Sequence, residues 1–268
     1  MASKLSSVLA AAKAEDRAAL IGYLPAGFPT VDGGIAAVKA LIEGGCDVVE
    51  VGLPHSDPVL DGAVIQTADD IALRGGVKIK DVIRTVAEVA DAHPEAAVLV
   101  MTYWNPVERY GVARFAADLA AAGGAGCILP DLPVEESGEW RAAAAEHGLD
   151  TVFVVAPSSK DARLAEVTAA GSGFVYAAAV MGVTGTRAAV GSMAEDLVAR
   201  TRATTELPVC VGLGVSNATQ AAEVAGFADG VIVGSAFVQR ILDADGEPAA
   251  LDAVRSLAAE LAEGVRKR

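Results

Sequence analysis

Two carboxylic acids lie eleven residues apart in the segment VVEVGLPHSDPVLDGAVIQ, residues 48–66. Glu50 lies in an apolar run typical of a buried strand, and Asp61 follows in a turn rich in Pro and Gly. Burial of an unpaired acid is costly, and it raises the pKa toward the range useful for proton transfer. Two acids in unlike surroundings can divide acid and base work. The alternative is structural: Glu50 satisfies backbone groups, and Asp61 forms an Asx turn with Gly62.

Eight short apolar runs rich in Val and Ile recur along the chain, separated by Ala-rich helical patterns. Continuous apolar runs without strict alternation are typical of strands buried on both faces. Strands alternating with helices predict a parallel sheet, and eight such units in about 250 residues predict an α/β fold, the (β/α)8 TIM barrel. The runs are 18–25, 47–54, 97–104, 126–133, 151–157, 173–180, 208–215 and 230–237.

The domain organisation predicted from these patterns is simple. An open doubly wound sheet is the alternative, but its usual early G-x-G-x-x-G turn is missing. No linker or composition break divides the chain, so we expect residues 1–268 to form one barrel domain. The start, MASKLSSVLAAAK, faintly resembles a signal peptide, but its apolar run is short and charged residues follow at once. We therefore expect a short extra N-terminal helix instead. Residues 246–268 predict a final helix, and Asp32 is expected to cap the helix after the first strand.

The composition restricts the partners. The 268 residues are 53% hydrophobic but only 4% aromatic, so we expect a core of Ala, Val, Leu and Ile. A net charge of −14 argues against nucleic acid and anionic membranes as main partners. Cys46, Cys127 and Cys210 lie far apart, which fits a reduced cytoplasmic protein better than a disulfide framework. No run has the length needed to span a bilayer.

The carboxyl ends of the last predicted strands are rich in glycine. Active sites of such barrels gather at the carboxyl ends of the strands, and a phosphate site often follows strands seven and eight. Gly214 follows the seventh strand, and Gly234 and Ser235 follow the eighth, where a helix N-terminus can point its positive end at an anion. Tight turns alone are the alternative, but the clustering favours a small phosphorylated substrate.

Other residue types narrow the chemistry further. No lysine lies within a strand run, which argues against a Schiff-base mechanism. The three histidines are scattered, and no His, Cys or carboxylate cluster has metal-ligand spacing. Metal-free acid–base chemistry by two carboxylates remains, and both isomerisation and carbon–carbon cleavage fit it.

The motifs together resemble one family. Glu50, the P-x-SDP-x-x-DG-x-x-IQ segment at 54–66, the GVTG loop at 182–185 and the GLGVS and GS segments resemble the alpha subunit of tryptophan synthase, over nearly the whole chain. The resemblance implies a cytoplasmic lyase that cleaves indole-3-glycerol phosphate into indole and glyceraldehyde 3-phosphate by a retro-aldol route. It also implies a heterotetramer with a beta subunit, a pyridoxal-phosphate enzyme that receives the indole through a tunnel. No cofactor is expected in this chain itself.

The resemblance also implies residue roles. Glu50 matches the general acid that protonates the indole ring carbon, and it is a candidate to accept the hydroxyl proton of the glycerol chain. Asp61 matches the acid that hydrogen-bonds the indole N–H and stabilises the positive charge developing there. Substrate-binding positions are matched by Tyr23, Met101, Tyr103, Val154, Tyr176 and the lid residue Thr184. Phosphate-binding positions are matched by Gly182, Gly214, Gly234 and Ser235, and partner-facing positions by Pro54, His55, Asp57, Pro58, Asn105 and Pro133.

Three departures from the family pattern leave alternatives open. Ala63 stands where proline usually follows DG, so the Asp61 loop is expected to be less rigid. Ala179 stands where many members have serine, next to Val180, and His55 replaces a commoner aromatic. The rivals are a stand-alone lyase that releases free indole and a degenerate alpha chain that mainly activates its partner. A sugar-phosphate isomerase would explain the glycines but not the SDP-x-x-DG loop.

Overall fold

The computed structural model describes residues 2–179 and 187–267, in which parallel strands alternate with helices. The strands are β1 (Ala19–Pro25), β2 (Val48–Gly52), β3 (Ala97–Met101), β4 (Gly126–Ile128), β5 (Asp150–Val152), β6 (Val154–Val155), β7 (Val175–Ala178), β8 (Val209–Gly212) and β9 (Gly230–Val233). The helices are α1 (Lys4–Ala14), α2 (Val31–Glu43), α3 (Ala63–Arg74), α4 (Ile79–Ala92), α5 (Trp104–Tyr110), α6 (Val112–Ala121), α7 (Gly138–Glu146), α8 (Asp161–Ala170), α9 (Arg187–Arg202), α10 (Ala218–Ala225), α11 (Ser235–Leu242) and α12 (Glu247–Val265). A 3-10 helix, Val134–Glu136, precedes α7.

The described strands form one parallel sheet with the order β5-β4-β3-β2-β1-β9-β8-β7-β6. Its two ends, β5 and β6, are separated along the chain by Phe153 alone, so the sheet closes on itself there. The nine strands are therefore the eight predicted ones, with the fifth in two pieces. The predicted (β/α)8 barrel is confirmed.

The amino-terminal end of the barrel is closed by apolar side chains. Successive residues of a strand point to opposite faces, so every second one enters the barrel. The extra N-terminal helix, α1, is confirmed, and its apolar face packs against these interior residues. The cluster comprises Leu5, Leu9 and Ala12 of α1 with Ala19, Ile21, Val48, Ala97, Leu99, Ala125, Ile128, Val152, Phe174, Cys210 and Ile232. A substrate can therefore approach the barrel interior more readily from the carboxyl ends of the strands.

The outward faces of the strands pack against the surrounding helices in the larger core. As the composition predicts, this core is mainly Ala, Val, Leu and Ile, with the few large aromatics, such as Trp140 and Phe115, between outer helices. Each fully buried Val or Leu contributes about 1.5–3 kcal/mol relative to an exposed one. This layer fixes the strands, and the strands fix the side chains at their ends.

Two helix starts test the predicted cap of α2 and the predicted final helix. The prediction that Asp32 caps α2 is wrong: Thr30 is the N-cap, and its hydroxyl accepts the N–H of Gly33 at 3.0 Å. Asp32 lies in the first turn, where its charge still favours the helix dipole. The predicted final helix, α12, begins after Gly246 and is confirmed. No helix in the described ranges is long and apolar enough to cross a membrane.

Candidate active site

The predicted pocket side chains lie on the interior face of the barrel, just beyond the apolar cluster. Tyr23 on β1 is paired in register with Glu50 on β2, and Val154 on β6 is paired with Tyr176 on β7. Met101 ends β3 and is half-buried. Strand alternation alone brings these five residues to the carboxyl-terminal mouth of the barrel.

Glu50 is a buried acid without a neutralising partner. Its side chain is 1% exposed, and neither carboxyl oxygen has a hydrogen-bond partner within the described residues. Burial raises the pKa of Glu50 to about 8, because the interior cannot solvate the charged form as water does. The carboxyl group is therefore mostly protonated at neutral pH and can donate a proton. The structural alternative, in which this acid satisfies backbone groups, does not match these surroundings.

Asp61 lies in the loop between β2 and α3 and is held by a tyrosine. The Tyr103 hydroxyl donates to Oδ2 of Asp61 at 3.1 Å and accepts the N–H of Leu60 at 3.0 Å. The His55 ring packs on the Tyr103 ring, with 4.5 Å between centroids. Partial burial raises the pKa of Asp61, whereas the Tyr103 hydrogen bond and His55 lower it. The two acids therefore have unlike surroundings, as the sequence predicted.

Electrostatic coupling shows that both acids belong to one site. Burial raises the pKa of Tyr23 and of Tyr176 well above the usual range. The charge of Asp69 raises the pKa of Tyr23 further, and the charges of Glu50 and Asp61 raise both. Such coupling requires both acids to lie near both tyrosines, since charge interactions weaken with distance. The mouth of the barrel thus combines two acids with two tyrosines.

Two glycines make room for the tyrosine hydroxyl groups. A Cβ at Gly212, the last residue of β8, would lie 2.9 Å from the Tyr176 hydroxyl oxygen. A Cβ at Gly52, the last residue of β2, would collide with the Tyr23 hydroxyl. These strand ends need glycine because a tyrosine from the neighbouring strand crosses them.

The residues predicted to bind phosphate lie after β8 and β9, which are neighbours in the sheet. Gly214 is exposed in the loop after β8, with a φ of 65° that favours glycine. Gly234 is the N-cap of α11, and Ser235 is its exposed first residue. The first N–H groups of a helix have no intrahelical partner and are available to an anion. Gly182, Thr184 and Val180 lie outside the described residues.

The residues predicted to face a partner lie after β2, β3 and β4, on one side of the barrel mouth. Asp57, Asn105 and Pro133 are exposed, His55 and Pro58 are half-buried, and Pro54 is buried. Two apolar side chains of the same loop are solvent-exposed: Val59 is 73% exposed and Leu60 is 50% exposed. Exposed apolar groups of this kind commonly mark a contact surface.

The departures from the family pattern fit the local structure. Ala63 is the first residue of α3, a position where proline is favoured but a good helix former also fits. Ala179 is fully buried beyond β7, and its N–H donates to the carbonyl of Gly212 at 3.1 Å. The mouth of the barrel therefore keeps both acids and both tyrosines in place with alanine at both positions.

Sequence reasoning missed two residues of the site, Gly52 and Asp69. Asp69 lies in α3, is 3% exposed, and has a pKa raised to about 7 by burial and by the charge of Asp61. The sequence could have indicated this buried acid, because helical spacing puts Asp69 on the same buried face as Ala68 and Ala72. Gly52 lies within the predicted strand run 47–54, but nothing in the sequence shows that the Tyr23 side chain crosses it.

The opposite end of the barrel holds an open cavity of about 330 Å³. It lies beside α1 and is lined by Lys13, Arg17, Arg202 and Pro208, among others. Both acids of the site lie at the other end of the strands, so this cavity has no part in their chemistry. Among the described residues, no group of three or more His, Cys, Asp or Glu side chains is arranged to hold a metal ion.

Comparison with known proteins agrees with this geometry. A family model described as the tryptophan synthase alpha chain matches residues 9–266. The chain belongs to this family. The alpha chain of Streptomyces avermitilis is 78% identical, with 98% of this chain and 94% of that protein covered. The alpha chain of Thermobifida fusca is 60% identical, with 96% of each covered.

Solved structures give the same assignment. A tryptophan synthase chain from M. tuberculosis superposes with a TM-score of 0.90 at 50% identity, covering 99% of both chains. The alpha subunit from Legionella pneumophila superposes with a TM-score of 0.89 at 30% identity, covering 99% of both chains. As a tryptophan synthase alpha chain, the protein is a lyase that cleaves indole-3-glycerol phosphate to indole and supplies it to a beta subunit.

Proposed function

We propose that Glu50 and Asp61 carry out this cleavage, as general acid and as electrostatic partner, in one barrel domain formed by residues 1–268. The observation that carries the proposal is the state of Glu50. It is buried, has no hydrogen-bond partner among the described residues, and has a pKa of about 8. An acid with a pKa near the operating pH is efficient in proton transfer.

The first step is protonation of the indole ring. Glu50 donates its proton to the ring carbon that carries the glycerol phosphate chain, and positive charge develops at the ring N–H. The Asp61 carboxylate accepts a hydrogen bond from that N–H and stabilises the charge. Because Tyr103 already holds Asp61, little reorganisation is needed when the charge appears.

The second step is cleavage of the carbon–carbon bond. Glu50, now a carboxylate, takes the proton of the hydroxyl on the adjacent glycerol carbon. The electron pair of the breaking bond returns to the ring and restores neutral indole, while the hydroxyl carbon becomes the aldehyde of glyceraldehyde 3-phosphate. Glu50 is protonated again at the end, so one group serves both transfers.

We assign the remaining site residues to binding. The indole ring would lie against side chains at the barrel mouth, namely Tyr23, Met101, Tyr103, Val154 and Tyr176. The phosphate would bind the glycine-rich ends on the other side, through Gly182, Gly214, Gly234 and Ser235. Thr184 would reach Asp61 when the lid loop closes and excludes water. The chain is assigned no cofactor.

We also propose which surface meets the beta subunit and where the protein works. The exposed loop ends after β2, β3 and β4, with Asp57, Asn105 and Pro133, would face the beta subunit. His55, Pro58 and the buried Pro54 would shape that surface. We place the protein in the cytoplasm, because its three buried cysteines are free thiols, as expected in a reducing compartment.

The proposal is tested by indole release from purified Glu50→Gln. Glutamine keeps the size of the side chain but cannot donate a proton, so turnover should fall by about 10³-fold or more. Inhibition by glyceraldehyde 3-phosphate should stay within about twofold, since the phosphate contacts are untouched. The matched control is Glu139→Gln, at an exposed position on α7, which should keep full activity. Turnover of Glu50→Gln at the wild-type rate would refute the proposal.

A further inference from the structure

A third buried acid lies beside the loop that carries Asp61. Asp69 is on the inner face of α3, 3% exposed, and its Oδ1 has no hydrogen-bond partner within the described residues. Helix α3 begins directly after that loop, at Ala63. Burial of an acid in a helix is costly, so its presence calls for a specific contact.

That contact is with the backbone of the Asp61 loop. The backbone N–H of His55 faces the carboxyl group of Asp69 closely enough to lower its pKa, against the larger effect of burial. The His55 ring in turn fixes the loop in two ways. Its Nδ1 accepts the N–H of Asp57 at 3.1 Å, and the ring packs on Tyr103. Tyr103 then donates to Asp61. One continuous set of contacts thus runs from Asp69 to the Asp61 carboxylate.

The charge of Asp61 favours the neutral form of Asp69. Burial and the charge of Asp61 raise the pKa of Asp69 to about 7. Around neutral pH an ionised Asp61 is therefore accompanied by an Asp69 that is protonated in a large fraction of molecules. A neutral carboxyl group still accepts the His55 N–H through its carbonyl oxygen, without repelling Asp61.

We propose that Asp69 is a positioning residue for the lyase reaction, which anchors His55 and, through the His55–Tyr103 ring pair, orients the Asp61 carboxylate toward the indole N–H. The proposal rests on the role proposed for Asp61. It assigns to Asp69 no contact with the substrate. What matters is the neutral hydrogen-bond acceptor at this position, so asparagine should replace aspartate and alanine should not.

The test measures indole release, without beta subunit, for Asp69→Asn, Asp69→Ala and the control Asp70→Ala. Asp70 is the exposed neighbour, paired with Arg74 on the outer face of α3. Misplacing a reacting group by about 1 Å can cost as much as 10²-fold, so we expect kcat of Asp69→Ala to fall at least tenfold. Asp69→Asn should stay within about threefold of wild type, and Asp70→Ala within about twofold. Asp69→Ser provides a second truncation if the alanine variant does not fold.

A double-mutant cycle with Tyr103→Phe tests whether Asp69 acts through the ring pair. If it does, adding Asp69→Ala to Tyr103→Phe should lower kcat by no more than about threefold beyond Tyr103→Phe alone. Inhibition by glyceraldehyde 3-phosphate should stay unchanged throughout, which a general loss of structure would not allow. The proposal would be overturned if the kcat losses of Asp69→Ala and Tyr103→Phe multiply in the double mutant. It would also be overturned if Asp69→Asn loses as much kcat as Asp69→Ala, or if Asp69→Ala keeps the wild-type kcat. Failure of the acid–base proposal appears separately, as activity retained in Glu50→Gln.

Discussion

At the scale of single residues, the buried acids lower the stability of the folded protein near neutral pH, where the reaction takes place. The pKa of Glu50 rises from 4.5 to about 8 on folding, and that of Asp69 from 3.8 to about 7. The folded state therefore binds these protons more tightly than the unfolded chain does. Their contribution to stability is fully present below the unfolded pKa values and is lost as the pH rises through these intervals.

Glu50→Gln should remove the Glu50 part of this loss. We expect its free energy of unfolding to exceed that of wild type by a margin that is small near pH 5 and grows to on the order of a few kcal/mol near pH 8.5. Urea unfolding at both pH values measures the difference. Parallel pH profiles for the two proteins would mean that Glu50 is not held in its neutral form.

At the scale of elements, the strand ends fix the site. Three side chains enter the barrel because they occupy interior positions of their strands: Glu50, Tyr23 and Tyr176. Each is the next interior residue after a member of the apolar cluster. The glycines at the next interior positions, Gly52 and Gly212, leave space for the two hydroxyl groups. The tyrosine positions therefore depend on neighbouring strands and not only on their own.

Gly212→Ala tests this dependence. The added Cβ would lie 2.9 Å from the Tyr176 hydroxyl oxygen, closer than such contacts allow, so Tyr176 must shift. We expect kcat/KM for indole release to fall roughly tenfold, about 1.4 kcal/mol, while the protein stays folded. The control is Gly138→Ala at the start of α7, where nothing lies within 4 Å of the added Cβ. If both variants keep wild-type kcat/KM, the tyrosine position is not set by the β8 end.

Much of the arrangement of strands and strand-end residues could be predicted from the sequence. Buried parallel strands leave continuous Val- and Ile-rich runs, so all eight were found, and the strand-end rule then located Glu50, Tyr23 and Tyr176. The break at Phe153 could not be predicted, because it arises where the ring of strands closes. The strand-end rule does not reach Asp69, because this acid lies on the buried face of α3. The Thr30 cap was not predicted because Asp32, in the first turn of α2, is the commoner capping type.

At the scale of the whole molecule, the two ends of the barrel differ. The amino-terminal end is closed by α1, and the carboxyl-terminal end carries the acids, the glycine-rich loops and an exposed apolar loop tip. A beta subunit docked on the loop after β2 would contact the same segment that holds Asp61. Binding energy there can act directly on the position of the acid.

Adding beta subunit should therefore raise the lyase rate at least several-fold. Val59→Asp, at the 73% exposed loop tip, should raise the beta concentration needed for half-activation by about tenfold or more, because a charge replaces an apolar contact. Leu73→Asp on α3 is the matched control, at an apolar side chain that is 37% exposed, and should leave this concentration unchanged. A rate that is already high and does not change with beta subunit would favour a lyase that works alone.

The most direct measurement is the titration of Glu50 itself, by infrared difference spectroscopy between wild type and Glu50→Gln across pH 5–10. We predict a protonated carboxyl signal at pH 7 that disappears with a midpoint near 8, since burial without a partner is what raises the pKa. A carboxylate signal already present at pH 7, with a midpoint near the ordinary value of 4.5, would contradict the account.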